Sequence, residues 1–221
     1  MSRTDKLRYY ALTLLSPMVL MAAATYGAGW AVLAWPSGEA ALSRELAAGR
    51  DPVWNAATDL GSSLSDTPYI VALTALAAIG FRLWLRRWRE SVFLVAAVWS
   101  QSLIFLATTE AVGRHRPPVQ HLDPAPPTSS FPSGHVSAAV AFYCGVALVL
   151  TTRVRGAAAR AAIWTPAVLA PLAVGFSRLY RGMHFLTDVV WGCSSAQAAS
   201  RWPPGRSCAA PQPAARPLLG Q

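Results

Sequence analysis

The chain has 221 residues, of which 53% are hydrophobic and only 13% are charged, with a formal net charge of +9. Because soluble domains carry about 25% charged residues, this composition argues against an ordinary soluble protein and indicates a membrane protein. The basic residues lie mainly in short segments between apolar runs, which disfavours nucleic acid as a partner and favours a role in membrane topology.

Taken in chain order, five apolar runs are each long enough to cross a bilayer as a helix, which requires about 20 residues. A sixth and weaker run begins near Phe185 and fades after Ala199. We therefore predict an all-α fold, a polytopic membrane helical bundle of six spans, the sixth of them short. The five strong runs are Tyr9–Trp35, Thr67–Leu85, Ser91–Val112, His135–Thr152 and Ala161–Tyr180.

Two connections between these runs are long. In the first, residues 36–66, we expect a short helix over Ser43–Ala48, a break at Asp51-Pro52 and a loop at Gly61-Ser62-Ser63. The second, Gly113–Gly134, is rich in proline and serine. A loop of this length is uncommon in a compact domain unless it is functional.

The ends of the chain are expected to lie outside the bundle. Residues 1–8 are predicted to be a cytoplasmic N-terminus, and the run that follows is too long for a signal peptide, so it is interpreted as a retained first span. Residues 9–199 would form one membrane domain, and residues 200–221 a disordered tail. The cysteines lack ligand-like spacing and are interpreted as small buried thiols.

Basic residues predict the orientation of the bundle. With alternate crossings, thirteen of the 19 Lys and Arg residues fall on one side, which should be the cytoplasm. The remaining arginines face the extracytoplasmic side, and four of them stand in or beside short polar clusters. These outward residues are Arg44, Arg50, Arg114, Arg116, Arg178 and Arg181.

A cluster after the fifth run is suited to nucleophilic catalysis. His184 and Asp188 are four positions apart, so on a helix they would share one face. A carboxylate bonded to one imidazole nitrogen leaves the other free to attack. Arg178 could bind an anion through two parallel hydrogen bonds. Taken alone, the pair is equally consistent with a capping Asp beside an incidental His.

The segment Pro132-Ser133-Gly134-His135 marks the point where a loop becomes the fourth span. Ser133 is a natural N-cap, and the free amides and dipole of a helix start attract an anion. Gly134 allows close approach of the backbone, and His135 would stand beside the bound group as a proton donor. The alternative is an ordinary serine cap with an interfacial His.

Arg114 and Arg116 follow the third span on its outer side. Snorkelling arginines would be expected on the cytoplasmic side, so their outward position favours anion binding. His115 and His121 are interpreted as loop residues, and no grouping has metal-ligand spacing. Together the three clusters predict a metal-free site for an anionic phosphate at the membrane edge.

The order Arg-Pro, Pro-Ser-Gly-His and Ser-Arg-x5-His-x3-Asp resembles the type 2 phosphatidic acid phosphatase (PAP2) superfamily of integral-membrane lipid phosphatases, which is related to the vanadium haloperoxidases. The resemblance covers roughly residues 9–192. It implies that His184 is a nucleophile that forms a phosphohistidine, that Asp188 orients it, and that His135 protonates the leaving group. The phosphoryl oxygens would be bound by Arg116, Arg178, Ser133 and the Gly134 amide. No cofactor is implied.

Two features depart from the family pattern. The family's first motif begins with a Lys seven residues before its Arg, and Thr109 occupies that position here. Arg114 is the expected substitute; without one, a lost charge-assisted hydrogen bond costs about 1.5–3 kcal/mol. The second departure is the short sixth span, which would give weaker support to His184 and Asp188.

These observations predict a metal-independent phosphatase that acts on a membrane lipid phosphate or diphosphate, of the phosphatidic-acid or polyprenyl-diphosphate type. Its site would face outward from a bacterial plasma membrane. One alternative is a lipid phosphotransferase on the same site, and another is a weakly active or non-catalytic lipid-binding protein. A transporter is disfavoured, because charged residues are not seen deep within the spans.

Overall fold

The computed structural model describes residues 3–34 and 38–199, and within these ranges the regular secondary structure is entirely helical. The predicted all-α class is confirmed. The predicted tail, residues 200–221, lies outside the described residues. The helices are α1 (Arg3–Ala34), α2 (Glu39–Ala48), α3 (Pro52–Ser63), α4 (Thr67–Leu85), α5 (Arg89–Val112), α6 (Gly134–Ala139), a π-helical segment (Val140–Cys144), α7 (Gly145–Thr151), α8 (Ala157–Tyr180) and α9 (Leu186–Ala199).

Four stretches of the described chain are long and apolar enough to cross a membrane. They are α4, α5, the continuous run Gly134–Thr151 and α8, which correspond to the predicted second to fifth spans. Helix α1 begins at Arg3, inside the segment predicted as a separate N-terminus. Helix α9 has 14 residues and is about 21 Å long, less than the roughly 30 Å of a hydrocarbon core. The count of six spans stays a prediction.

The connection between the first two predicted spans is more helical than expected. Helix α2 already begins at Glu39. The Asp51-Pro52 pair begins α3, since Asp51 Oδ1 accepts hydrogen bonds from the amides of Val53 and Trp54 at 2.8 and 2.9 Å. The loop predicted at Gly61-Ser62-Ser63 is wrong, because these residues form the last turn of α3.

The core of the bundle is formed by α5, α8, α9 and the run Gly134–Thr151. The run packs against all three helices, and α9 also packs against α5 and α8. Leu94, Val136 and Val174 are fully buried there. Helix α1 packs against α5 and α9, α4 packs against α5, and α3 lies along α8. The outer faces of α4 and α5 remain apolar, with Leu76 and Trp99 both 66% exposed, as expected of surfaces in contact with lipid.

A glycine brings α9 close to the start of α6. A Cβ atom at Gly192 would lie 2.9 Å from the carbonyl oxygen of Ser133 and 3.3 Å from Cβ of Val136. The Ser133 amide also donates to the carbonyl oxygen of Asp188 at 3.1 Å. Two segments that are distant in the sequence, each with a predicted site residue, are thereby held against each other.

Two of the basic loops lie at one end of the bundle. At one end Glu90 contacts Arg87 and also Arg153, whose Nη2 lies 3.3 Å from Glu90 Oε1. The basic loops that follow α4 and α7 therefore lie together. The opposite end collects the starts of α4 and α6 and the ends of α5 and α8.

Candidate active site

A cavity of about 410 Å³ lies at the end of the bundle opposite the basic loops. It is lined by residues from α3, from the starts of α4 and α6, from the end of α8, from the proline-rich loop 113–133 and from the turn before α9. Sequence reasoning named eight site residues, and five of them line this cavity: Arg116, Gly134, His135, Arg178 and His184.

His184 lies in the turn between α8 and α9 and is 4% exposed. Gly182 permits this turn, since its φ of +74° is unfavourable for residues with a Cβ atom. Nδ1 of His184 lies 2.7 Å from the carbonyl oxygen of Ser130. A carbonyl can only accept, so Nδ1 carries the proton and Nε2 carries the lone pair. Burial lowers the pKa of His184 below 6.5, which favours the neutral form that a nucleophile requires.

Asp188 is fully buried beside this turn. Its Oδ2 accepts a hydrogen bond from the Phe185 amide at 2.8 Å, and the same oxygen lies 3.8 Å from His184 Nδ1. The predicted partner of the imidazole is therefore near but is not its hydrogen-bond acceptor, because the Ser130 carbonyl takes that place. Asp188 shapes the turn and adds a negative charge behind the ring.

Arg116 and Arg178 supply the positive charge of the cavity. Arg178 Nη1 donates to Ser62 Oγ at 2.8 Å and to Asp123 Oδ2 at 2.7 Å, and Arg116 Nη1 donates to the Met183 carbonyl at 2.7 Å. The Nε atoms of both arginines are buried and have no partner among the described residues. Burial lowers the pKa of Arg116, and an anion bound in the cavity would offset this desolvation.

Three carboxylates that line the cavity, Asp59, Asp66 and Asp123, were not predicted from the sequence. Asp123 bridges Arg178 and Arg181, and its Oδ1 accepts from Arg181 Nε at 2.7 Å. Burial raises the pKa of Asp123, but the hydrogen bond from Arg181 and the charge of Arg178 outweigh it, so the net shift is downward. Asp66 Oδ1 lies 3.2 Å from His135 Nε2. Only Asp123 had a signal in the sequence, since it precedes Pro124 in the proline-rich loop.

Ser133 occupies the N-cap position of α6, as predicted, but its side chain does not cap the helix. The Ser133 residue is fully buried, and its Oγ has no hydrogen-bond partner in the described part of the chain. Gly134 lies against the ring of Phe105, where a Cβ atom would be 2.9 Å from the nearest ring carbon. A larger residue at position 134 would therefore collide with one wall of the cavity.

The sequence profile of the PAP2 superfamily matches residues 91–202, slightly more than half of the chain. The chain belongs to the PAP2 superfamily. The resemblance inferred from the motifs is confirmed, and with it the prediction of a membrane enzyme of the PAP2 phosphatase class.

Two solved structures of PAP2-type membrane proteins are similar to this chain. One is the transmembrane PAP2-type phosphatidylglycerolphosphate phosphatase from Bacillus subtilis, with 22% identity and a TM-score of 0.70 over 87% of this chain and 92% of that one. The other is LpxE from Aquifex aeolicus, with 21% identity and a TM-score of 0.55 over 72% and 90% of the two chains. Both likenesses support the fold. No curated protein sequence matches the chain significantly.

The departure from the PAP2 pattern at Thr109 is not compensated within the cavity. Thr109 is buried in α5, and its Oγ1 donates to the Leu106 carbonyl at 3.0 Å. Arg114, the expected substitute for the missing Lys, does not line the cavity, because its guanidinium is held by Glu39 and Asp188. The cavity therefore lacks a cation from either position.

Proposed function

We propose that this PAP2 enzyme hydrolyses the phosphate of a membrane lipid through a phosphohistidine at His184. The observation that carries the proposal is an imidazole whose Nδ1 lies 2.7 Å from the Ser130 carbonyl, which leaves Nε2 free, in one cavity with two arginines. An Nε–H group on each of these arginines, Arg116 and Arg178, is buried without a partner among the described residues. A phosphoryl group supplies the acceptors that such donors lack.

In the proposed first step, Nε2 of His184 attacks the phosphorus, and the bond from phosphorus to the leaving oxygen breaks. His135 lines the same cavity and would donate a proton to that oxygen. Arg116 and Arg178 would stabilise the charge that develops on the equatorial oxygens. In the second step His135 removes a proton from a water molecule, and the oxygen of that water attacks the phosphorus. The N–P bond then breaks, and inorganic phosphate is released.

The substrate is proposed to be an amphiphile whose phosphate lies at headgroup level. The cavity residues come from the ends of apolar helices, where a bilayer gives way to water. The basic loops at the opposite end favour a cytoplasmic position for that end and an extracytoplasmic site. Phosphatidic acid, phosphatidylglycerol phosphate and a polyprenyl diphosphate are the appropriate first candidates, and a bacterial plasma membrane is the proposed location.

The test is phosphate release from these three lipids by purified wild type, His184→Ala and His135→Ala. We expect wild type to hydrolyse at least one lipid, both variants to lose activity by at least about 10²-fold, and vanadate to inhibit. EDTA should have no effect. The matched control is His115→Ala, since His115 is exposed in the loop and does not line the cavity.

Activity of His184→Ala at the wild-type level would contradict the assignment of the nucleophile. Adding lipid and sugar acceptors to a reaction with radiolabelled substrate separates hydrolysis from phosphotransfer. Label that appears in an acceptor instead of in inorganic phosphate would identify a phosphotransferase. Binding of the lipid by wild type without turnover would identify a non-catalytic lipid-binding protein.

A further inference from the structure

The side chain of Arg114 lies behind the cavity wall, at the start of α9. Its Nη1 donates to Thr187 Oγ1 at 2.9 Å and contacts the buried carboxylate of Asp188. Its Nη2 donates to Glu39 Oε2 at 3.0 Å. The guanidinium carbon is 4.3 Å from the ring centroid of Phe185. These contacts connect Arg114 to the first turn of α9 and to a side chain from α2.

Glu39 contacts the same turn from the opposite direction. Its Oε1 accepts a hydrogen bond from the Thr187 amide at 2.7 Å, and its Oε2 accepts from Thr187 Oγ1 at 2.9 Å. The amides of a first helical turn lack partners within the helix, and the helix dipole stabilises a negative charge there. Glu39, 148 residues away in the chain, thus caps the start of α9.

This arrangement bears directly on His184, which precedes α9. The Phe185 amide donates to Asp188 Oδ2, and that oxygen lies 3.8 Å from Nδ1 of His184. Asp188 is fully buried, and Arg114 is the cation in contact with its carboxylate. Removal of one partner from a buried ion pair leaves the other charge uncompensated, so the turn would rearrange if Arg114 were lost.

We propose that Glu39 and Arg114 are positioning residues that hold the turn carrying His184, with its Nε2 directed at the substrate phosphorus. This role rests on the proposed function, in which His184 is the nucleophile. The charge of Arg114 is neutralised by Asp188 and Glu39, so Arg114 orients the nucleophile and does not bind phosphate. A displacement of about 1 Å at the attacking atom costs on the order of 10²-fold in rate.

The test measures kcat, KM and the inhibition constant of inorganic phosphate for Arg114→Gln, Glu39→Gln and the double variant, with whichever of the three candidate lipids the wild type hydrolyses fastest as substrate. We expect kcat of Arg114→Gln to fall by about 10²-fold while the other two constants stay at their wild-type values. The kcat of the double variant should be no lower than that of Arg114→Gln, because both residues act on one turn. Arg114→Lys keeps the charge beside Asp188 and should recover part of the lost kcat.

Matched controls distinguish positioning from general effects of charge. Arg44 and Glu45 are exposed on α2, so Arg44→Gln and Glu45→Gln should keep the wild-type kcat. Arg116→Gln changes a residue of the proposed phosphate site and should raise the inhibition constant of phosphate. Glu39→Gln retains an oxygen acceptor for the Thr187 amide but loses the negative charge that pairs with Arg114, so this variant is expected to fold while holding the turn less firmly.

A second measurement does not depend on turnover. Mass spectrometry follows the modification of His184 by diethyl pyrocarbonate, with His135 as the internal reference. We expect His184 to react several-fold faster in Glu39→Gln and Arg114→Gln than in wild type, because the turn that buries it is released. If wild type hydrolyses no lipid phosphate, the proposed function fails and this measurement alone decides the positioning role.

Two results would overturn the positioning role. One is a rise in the phosphate inhibition constant of Arg114→Gln to the level of Arg116→Gln, which would return Arg114 to phosphate binding. The other is a wild-type rate of His184 modification in both Arg114→Gln and Glu39→Gln, because an unchanged turn means that neither residue holds it.

Discussion

Arginines at the site differ in how far their charge is already balanced. Arg178 and Arg181 share the carboxylate of Asp123, and Arg114 pairs with Asp188. Arg116 forms no ion pair within the described residues, and its hydrogen bond goes to a backbone carbonyl. A substrate phosphate would therefore compete with Asp123 for Arg178, whereas Arg116 offers a full charge. Arg116 is the arginine whose loss should weaken binding most.

A lysine in place of Thr109 is expected to increase the affinity of the site for a lipid phosphate. Thr109 lies one helical turn beyond Phe105, which lines the cavity, so both occupy the same face of α5. We expect Thr109→Lys to lower KM for a lipid phosphate by about tenfold or more, since a charge-assisted hydrogen bond contributes about 1.5–3 kcal/mol. Thr109→Met, of similar length without the charge, is the control. Equal KM values for the two variants would contradict the prediction.

Among the helices, α6 and α9 carry the two histidines into one cavity. The start of α6 presents His135, and the turn before α9 presents His184. The close approach of the two helices depends on Gly192 of α9, which lies against the Ser133 carbonyl at the start of α6. It also depends on the hydrogen bond from the Ser133 amide to the Asp188 carbonyl. The spacing between His135 and His184 is thus set by contact between helices.

Gly192→Ala tests this contact between helices. The added Cβ would meet the Ser133 carbonyl at 2.9 Å, so α9 must move away from α6. We expect about 1–3 kcal/mol of destabilisation, visible as a lower Tm in detergent, and a lower kcat. The control is Gly80→Ala in α4, where an added Cβ meets no atom within 4 Å. A Tm of Gly192→Ala equal to that of the control would show that the helices can separate without cost.

Across the whole molecule, the basic loops that follow α4 and α7 lie at the end opposite the cavity. Arg87 and Arg153 meet at Glu90, at the far end of α4 and α5 from the cavity. Because basic loops remain in the cytoplasm, this polarity favours an outward-facing cavity. A substrate would then reach the site from the outer leaflet, and inorganic phosphate would leave on that side.

Cysteine labelling in intact cells tests the orientation. In a variant without native cysteines, Ala125→Cys lies in the exposed loop beside the cavity, and Arg155→Cys lies in a basic loop. We expect a membrane-impermeant maleimide to label position 125 in intact cells and position 155 only after permeabilisation. The reverse pattern would place the cavity in the cytoplasm.

Much of the site could be predicted because PAP2 motifs are local in sequence and stand at helix ends. His135, His184, Arg116 and Arg178 were predicted in this way, and all four line the cavity. The roles of Asp123 and Glu39 could not be, because each depends on a contact between segments that are far apart in the chain. The prediction of a loop at Gly61 is wrong. Gly and Ser favour loops, but packing of Gly61 against Ser177 of α8 holds this segment in a helix.

The hydrogen bond from His184 Nδ1 is accepted by a main-chain atom, the carbonyl oxygen of Ser130. A carbonyl belongs to the main chain, so no exchange of the side chain at position 130 removes it. The tautomer of His184 is therefore set by the path of the loop that carries the Ser130 carbonyl. Ser130 is itself fully buried, and its Oγ donates to the His115 carbonyl at 3.1 Å, so its side chain helps to fix the loop path that places this acceptor beside His184.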